Sequence, residues 1–394
     1  MKNFWAEEFQ NQRKANIRKL IIFLCFLAVI LAMVVLIFVY MYNLRFRTWC
    51  DNHILIKNIS EDSTKTIDIE EDENVQIYAY DKYLCILRKK VLEFYNKTGS
   101  KVGSIELDIN KVEFASAGSY LAISEDGGQK FYLINGREKV FENQVEGTIN
   151  QINVSEAGYV SIVMSNSNYK SIIDVYDRSG TEIFKTNLVS SRVVDVSISQ
   201  DSKYLAIAEV NISGVFIQSN IQVVSIELAK SDPKNAILYK YDAPKDKLIL
   251  SVRYQKNDNL ICMYNDSIEI LKDEQSSQIL DAKNKSISFM TIDMKDKVVS
   301  LEEKSTGDYN SETCVNIINP ANLKVRQYVT NDVAKSIKTS EDKIAINFGT
   351  ELHIINKNGI LLKKYISNSE VNDIVMTKNI VGIIYRDRIQ IIKI

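Results

Sequence analysis

The chain has 394 residues, 49 Lys and Arg against 50 Asp and Glu, a formal net charge of −1, two His and five Cys. That balance leaves no basic field for nucleic acid. Two histidines exclude a histidine-rich transition-metal centre.

Residues 20–42 form an apolar run without one charge. At about 1.5 Å per residue, a helix of this length spans a hydrocarbon core of roughly 30 Å. The run is too long for the apolar stretch of a cleaved signal peptide, and no small-x-small site follows it. It reads as an uncleaved anchor. Arg13, Lys14, Arg18 and Lys19 precede it, and Arg45 and Arg47 follow. The positive-inside bias puts residues 1–19 in the cytoplasm as a short tail and the bulk of the chain outside, with Arg45 and Arg47 weighing against that orientation. Tyr40, Tyr42 and Trp49 stand where an outer aromatic belt belongs. Residues 43–63 read as a linker.

From residue 64 to 394 the sequence repeats, with a period of about 35–50 residues. Each unit carries four short strands and two recurring turns. The first turn appears as Ser116-Ala-Gly-Ser-Tyr120, Ser155-Glu-Ala-Gly-Tyr159 and Ser199-Gln-Asp-Ser-Lys-Tyr204, each followed by an apolar strand such as Leu121-Ala-Ile123 or Leu205-Ala-Ile207. The second appears as Tyr95-Asn-Lys-Thr-Gly99, Tyr176-Asp-Arg-Ser-Gly180 and Ile355-Asn-Lys-Asn-Gly359. Asn and Asp side chains bond their own backbone in such turns, and Gly accepts positive φ. Four strands per repeat are the mark of a β-propeller blade. The units fall at 75–108, 111–145, 149–188, 192–241, 248–281, 286–330 and 333–367, with three more strands at 371–376, 380–385 and 388–394. The last unit lacks a strand, which residues 65–70 are expected to supply, closing the ring and removing its open edges. The expected fold is all-β, an eight-bladed propeller behind one transmembrane helix. Seven blades is the alternative, if the weak fifth unit merges with a neighbour.

The Ser-x-x-x-Tyr turns before Leu-Ala-Ile resemble those of bacterial WD40-like and quinoprotein-like propellers. The whole arrangement resembles an uncharacterised clostridial family with one N-terminal membrane helix and an extracytoplasmic propeller. The resemblance implies architecture and says little about activity. No Trp-Asp dipeptide ends a unit, and both tryptophans, Trp5 and Trp49, lie outside the repeats. The tryptophan-docking pattern of quinone-cofactor propellers is therefore missing, and no cofactor is expected.

The search for chemistry finds no catalytic constellation. His53 and His353 lie outside any nucleophile-elbow context, so no Ser-His-Asp or Cys-His triad is legible, and both read as surface or satisfied side chains. The acidic run at residues 70–73 and the acidic turns match no calcium-loop spacing, and no metal site is expected. Cys50, Cys85, Cys262 and Cys314 are far apart and read as structural. Pairing of carboxylates in a central channel is invisible at this level and leaves a carbohydrate- or peptide-active hydrolase or lyase as the competing class.

Two loops break the repeat: 209–220 in the fourth unit and 302–313 in the sixth. Long loops on a rigid ring are where binding tends to sit. Val215, Phe216 and Ile217 either extend a hairpin or expose an apolar contact, and Tyr309 is their counterpart. The short turn between them, with Tyr264 and Asp266, is expected to complete a cleft. The favoured function is a non-catalytic platform at the cell surface that recruits a protein, peptide or wall polymer.

Overall fold

The computed structural model describes residues 2–394 except 56–57, 60–63, 71–73, 110, 215, 246, 273–274 and 306–310. Side chains are described from Ile17 onward, omitting also 44, 48, 52, 59, 234, 257, 305 and 311. The chain divides into two units, residues 1–57 and 58–394.

In the first unit, helix α1 runs from Lys2 to Tyr42. Its stretch Ile17–Tyr42 is long and apolar enough to cross a membrane, and residues 17–39 are all exposed. Where the sequence suggests a linker, residues Leu44–His53 form a second helix, α2. Asn43 starts it by accepting a hydrogen bond from the Phe46 N–H at 3.0 Å. The Tyr40 hydroxyl donates to Asp51 Oδ1 at 2.7 Å, fastening α2 to the end of α1.

The second unit is a ring of eight antiparallel sheets, built at 76–106, 112–144, 148–188, 191–242, 249–281, 287–330, 336–366 and 373–393. These are blades one to eight, and each starts at its innermost strand. Strand Lys65–Asp68 completes blade eight, pairing antiparallel with Arg388–Lys393 in the register Lys65↔Ile391 to Asp68↔Arg388. The eight-blade reading and the source of the closing strand are thus both seen. Asn58 and Ile59 add a parallel fifth strand to the outer edge of blade seven, which the repeat did not suggest.

The recurring turns explain themselves in local chemistry. Ser155 Oγ accepts from the Tyr159 N–H at 3.1 Å, and Ser199 Oγ accepts from the Tyr204 N–H at 2.9 Å. In the second turn, Asn96, Asp177 and Asn356 each accept from backbone N–H groups two and four residues on. Gly99, Gly180 and Gly359 take φ of +70°, +85° and +73°, which L-residues rarely adopt. A register shift follows in each outer strand, twisting it away as blade edges require.

Eight apolar clusters hold the ring, one between each adjacent pair of blades. The last, joining blades eight and one, combines Ile69, Leu84, Ile86, Ile380, Ile389 and Ile391. All five cysteines are free, and Cys85 and Cys262 are fully buried as small apolar side chains.

One polar residue sits badly in this core. Asp174, on the third strand of blade three, is buried, and its Oδ1 meets no hydrogen bond. Burial lifts its pKa from 3.8 to about 6, against the pull of Lys185 at 3.5 Å. The folded protein therefore holds this proton more tightly than the unfolded chain does. Stability falls as pH rises from about 4 through 6 and stays lowered above. Asp174→Asn is expected to stabilise the propeller by about 2 kcal/mol at pH 8, with no gain near pH 4. Urea unfolding of both forms at the two pH values checks this, and an equal gain at both would reject it.

Candidate functional site

The two irregular loops are long hairpins. In blade four the second and third strands, Tyr204–Asn211 and Gln218–Ser225, are eight residues each and pair out to Asn211↔Gln218. In blade six, Val298–Ser305 and Ser311–Ile318 are also eight each and pair out to Ser305↔Ser311. The blade-four hairpin is extended, and the described apolar residues at its tip are exposed. Phe216 is 76% exposed, and Ile212 and Ile217 are each more than half exposed. Val215 and Tyr309 lie outside the described residues.

The tip has a defined seat. Ser213 Oγ donates to the Ser190 carbonyl at 3.1 Å and accepts from Lys170 Nζ at 2.9 Å. Asn211 Oδ1 accepts from the Ser213 N–H at 2.9 Å. These bonds bring the tip against the connector between blades three and four, where Val189 is 68% exposed. Ile212, Phe216 and Ile217 are thus exposed apolar side chains at the tip of a hydrogen-bonded hairpin, and Val189 is exposed on the connector that holds it. Sequence reasoning missed Val189, because a lone Val between two strands gives no signal.

The neighbouring turn behaves differently. Tyr264 is only 3% exposed, and its ring packs with Ala206, Ala208 and Ile221 between blades four and five. Burial raises its pKa. Lys247 Nζ lies 5.2 Å from the ring centroid and pairs with Glu269 at 2.7 Å. Tyr264 therefore supports the hairpin from within, rather than presenting a ring to a partner. Asp266 is half-buried, with Oδ1 out of hydrogen-bond contact.

A cavity of about 900 Å³ runs through the centre, lined by seven innermost strands and the turn after that of blade six. Its wall is charged, with six carboxylates against four cations, and four of the carboxylates are ion-paired with those cations. Glu156 faces Lys295 at 2.8 Å, Asp293 faces Arg253 at 3.2 Å, Glu341 faces Lys378 at 3.5 Å and Asp373 faces Lys338 at 3.7 Å. The Glu156–Lys295 pair joins blades three and six, so it spans the ring rather than one interface. Burial, followed by the charge of Asp126, raises the pKa of Glu113 on the same wall. Four wall carboxylates are thus matched with cations, while Glu113 and Asp81 have no wall cation as partner.

A closed eight-bladed β-propeller, with exposed apolar residues at the tip of a long hairpin and an apolar helix before it in sequence, is the class of protein these features define. The chain belongs to DUF5711, a family of unknown function, whose pattern matches residues 57–394. No curated protein matches it in sequence. Among solved structures it is similar in fold to Sqt1 from Chaetomium thermophilum, solved bound to the N-terminus of ribosomal protein L10. That match has a TM-score of 0.52 at 10% identity and covers 86% of this chain and 100% of that one. A eukaryotic initiation factor matches with a TM-score of 0.51 at 12% identity, over 84% of this chain and 87% of that one. BamB from Moraxella catarrhalis matches with 0.50 at 12%, over 84% of this chain and all of that one. At these identities the likeness is one of fold.

Proposed function

We propose that the protein is a membrane-anchored, extracytoplasmic binding platform without a catalytic role, holding a polypeptide partner on the hairpin-bearing face of its propeller. The observation that carries this reading is the exposure of Ile212, Phe216 and Ile217 at the hairpin tip, with Val189 exposed on the connector bonded to it. Apolar side chains at the tip of a hydrogen-bonded hairpin cost free energy in water and are kept where a partner covers them. The ring supplies rigidity, so binding loses little conformational entropy. A propeller of similar fold, Sqt1, was solved with a polypeptide segment bound. The anchor reading rests on the long apolar helical stretch Ile17–Tyr42, and the orientation on Arg13, Lys14, Arg18 and Lys19, which precede its uncharged run 20–42. The competing reading is a carbohydrate- or peptide-active enzyme using the wall carboxylates Glu113 and Asp81, which have no wall cation as partner.

The test replaces residues 212–217 with a two-residue Asn-Gly turn and compares crosslinked partners in native membranes with those of wild type. A polypeptide captured by wild type should fall at least tenfold in the variant and in Phe216→Asp, with unchanged melting of the propeller. Capture of the same set by all three forms would reject the hairpin face. Capture of wall polymer alone would reject the polypeptide class. Orientation is tested separately: a cysteine placed at Ser179, in an exposed turn, should react in intact cells with a membrane-impermeant maleimide.

A further inference from the structure

We propose that the junction of blades six and seven holds a divalent transition-metal site of the zinc type, with His353, Glu351 and Asp332 as its protein ligands. One ligand atom from each of the three lies within 4.8 Å of the others. His353 and Glu351 share the third strand of blade seven, Glu351–Asn356, two residues apart and therefore on one face. Asp332 comes from the connector that follows the outer strand of blade six, Val325–Thr330. The ligands thus belong to two blades, and an ion there would link them.

One of the three ligand separations has the scale that zinc requires. With bonds of about 2.1 Å, neighbouring ligands of a tetrahedral ion stand roughly 3.4 Å apart. His353 Nε2 lies 3.4 Å from Glu351 Oε2. Both atoms are buried, and Glu351 Oε2 also faces Lys364 Nζ at 2.6 Å. His353 itself is 3% exposed, clamped between Phe348, at 4.7 Å between ring centroids, and the edge of Tyr328, at 5.9 Å. Its other nitrogen, Nδ1, is 2.9 Å from the Tyr328 hydroxyl. With Nδ1–H donating to that hydroxyl, the lone pair of Nε2 points toward the carboxylates, the outer-sphere arrangement usual for metal-bound imidazoles. Thr330 Oγ1 donates to Asp332 Oδ2 at 2.8 Å and orients the third ligand in the same way. One imidazole with two carboxylates suits zinc-type ions better than thiolate-seeking ones.

Lys364 is the competitor. Its Nζ lies 2.6 Å from Glu351 Oε2, supplying positive charge that a dication would replace. Its side chain is 20% exposed and has a route outward. Asp332 is exposed, which gives an ion its way in and leaves a fourth position for water.

The full chain, in detergent and without a histidine tag, is titrated with Co²⁺ and then Zn²⁺. One Co²⁺ should bind per chain with the visible absorption of a four-coordinate site, and Zn²⁺ should displace it. Asp332→Asn, at an exposed position that leaves the fold intact, should weaken binding at least about tenfold. His353→Gln should weaken it about 100-fold or more, and Tyr328→Phe by about 10–100-fold. Lys364→Met should tighten it about tenfold, a gain that a merely structural His–Glu–Lys cluster does not produce. His53→Gln should change nothing. Absence of binding in both wild type and Lys364→Met would overturn the site. So would binding that survives unchanged in Asp332→Asn and in folded His353→Gln.

Discussion

Replacing residues 65–69 with a glycine–serine segment of equal length is expected to destabilise the propeller by roughly 5 kcal/mol and to promote aggregation. The segment contributes Ile69, which is buried, and Ile67, which packs against the cluster joining blades eight and one. Removing both side chains costs about 3–5 kcal/mol in lost burial. The four-residue ladder to Arg388–Lys393 goes with them. The new outer edge of blade eight would carry Ile389, Ile391 and Ile392 with unmatched backbone groups, a template for pairing between chains. Because each apolar cluster joins only adjacent blades, loss of closure should also free the contact between blades eight and one. Hydrogen exchange should therefore rise in residues 373–393 and 76–95 before it rises elsewhere. Calorimetry and exchange on the full chain check this. A melting transition unchanged by the replacement would show that the strand is dispensable and the closure reading wrong.

Asp195→Ala is the second large effect, at roughly 3–5 kcal/mol. This buried carboxylate accepts four hydrogen bonds: from Gln151 Nε2 at 2.7 Å, the Val196 N–H at 2.9 Å, Ser251 Oγ at 2.6 Å and the Val252 N–H at 2.9 Å. It thereby fastens the innermost strands of blades three, four and five. The three side chains occupy equivalent places, each directly after a register shift: Ile149/Gln151, Val193/Asp195 and Ile249/Ser251. The bulge turns each of them toward its neighbour across the blade interface. Alanine leaves two backbone donors and two side chains without their acceptor in a site that water enters poorly. Asp195→Asn, which keeps one acceptor oxygen, should lose about half as much. Urea unfolding measures both, and a loss under about 1 kcal/mol for alanine would show that the carboxylate is not a staple.

Much of the architecture was legible because propeller blades are built from local interactions. The Ser and Asn turns need only their own few residues, so their spacing in the sequence is their spacing in space. The final repeat, one strand short, pointed to residues 65–70. What was missed depends on contacts between distant segments. The helix Leu44–His53 has an N-cap but little apolar periodicity, and it is fastened by the Tyr40–Asp51 hydrogen bond. The fifth strand of blade seven is two residues long, too short to signal itself.

The site residues divide along the same line. Phe216 and Ile217 stood out because an apolar run inside a loop departs from the repeat, and the structure exposes both. Tyr264 looked like a turn residue, yet its ring faces blade four, a choice made by Ala206 and Ala208 leaving room for it. His353 read as an ordinary strand residue because nothing near it in sequence shows that Asp332 and Tyr328 of the preceding repeat meet it.

The sequence by itself determined the apolar helix, the blade boundaries, the count of eight and the closing strand, all of which follow from periodicity and turn chemistry within some forty residues. Only the tertiary structure decided which polar side chains meet across blade interfaces: the Asp195 staple, the Glu156–Lys295 bar across the channel, and the His353 cluster. The reason is geometric. A strand fixes which face a side chain lies on, but the partner on that face comes from another repeat, placed by ring closure and bulge register.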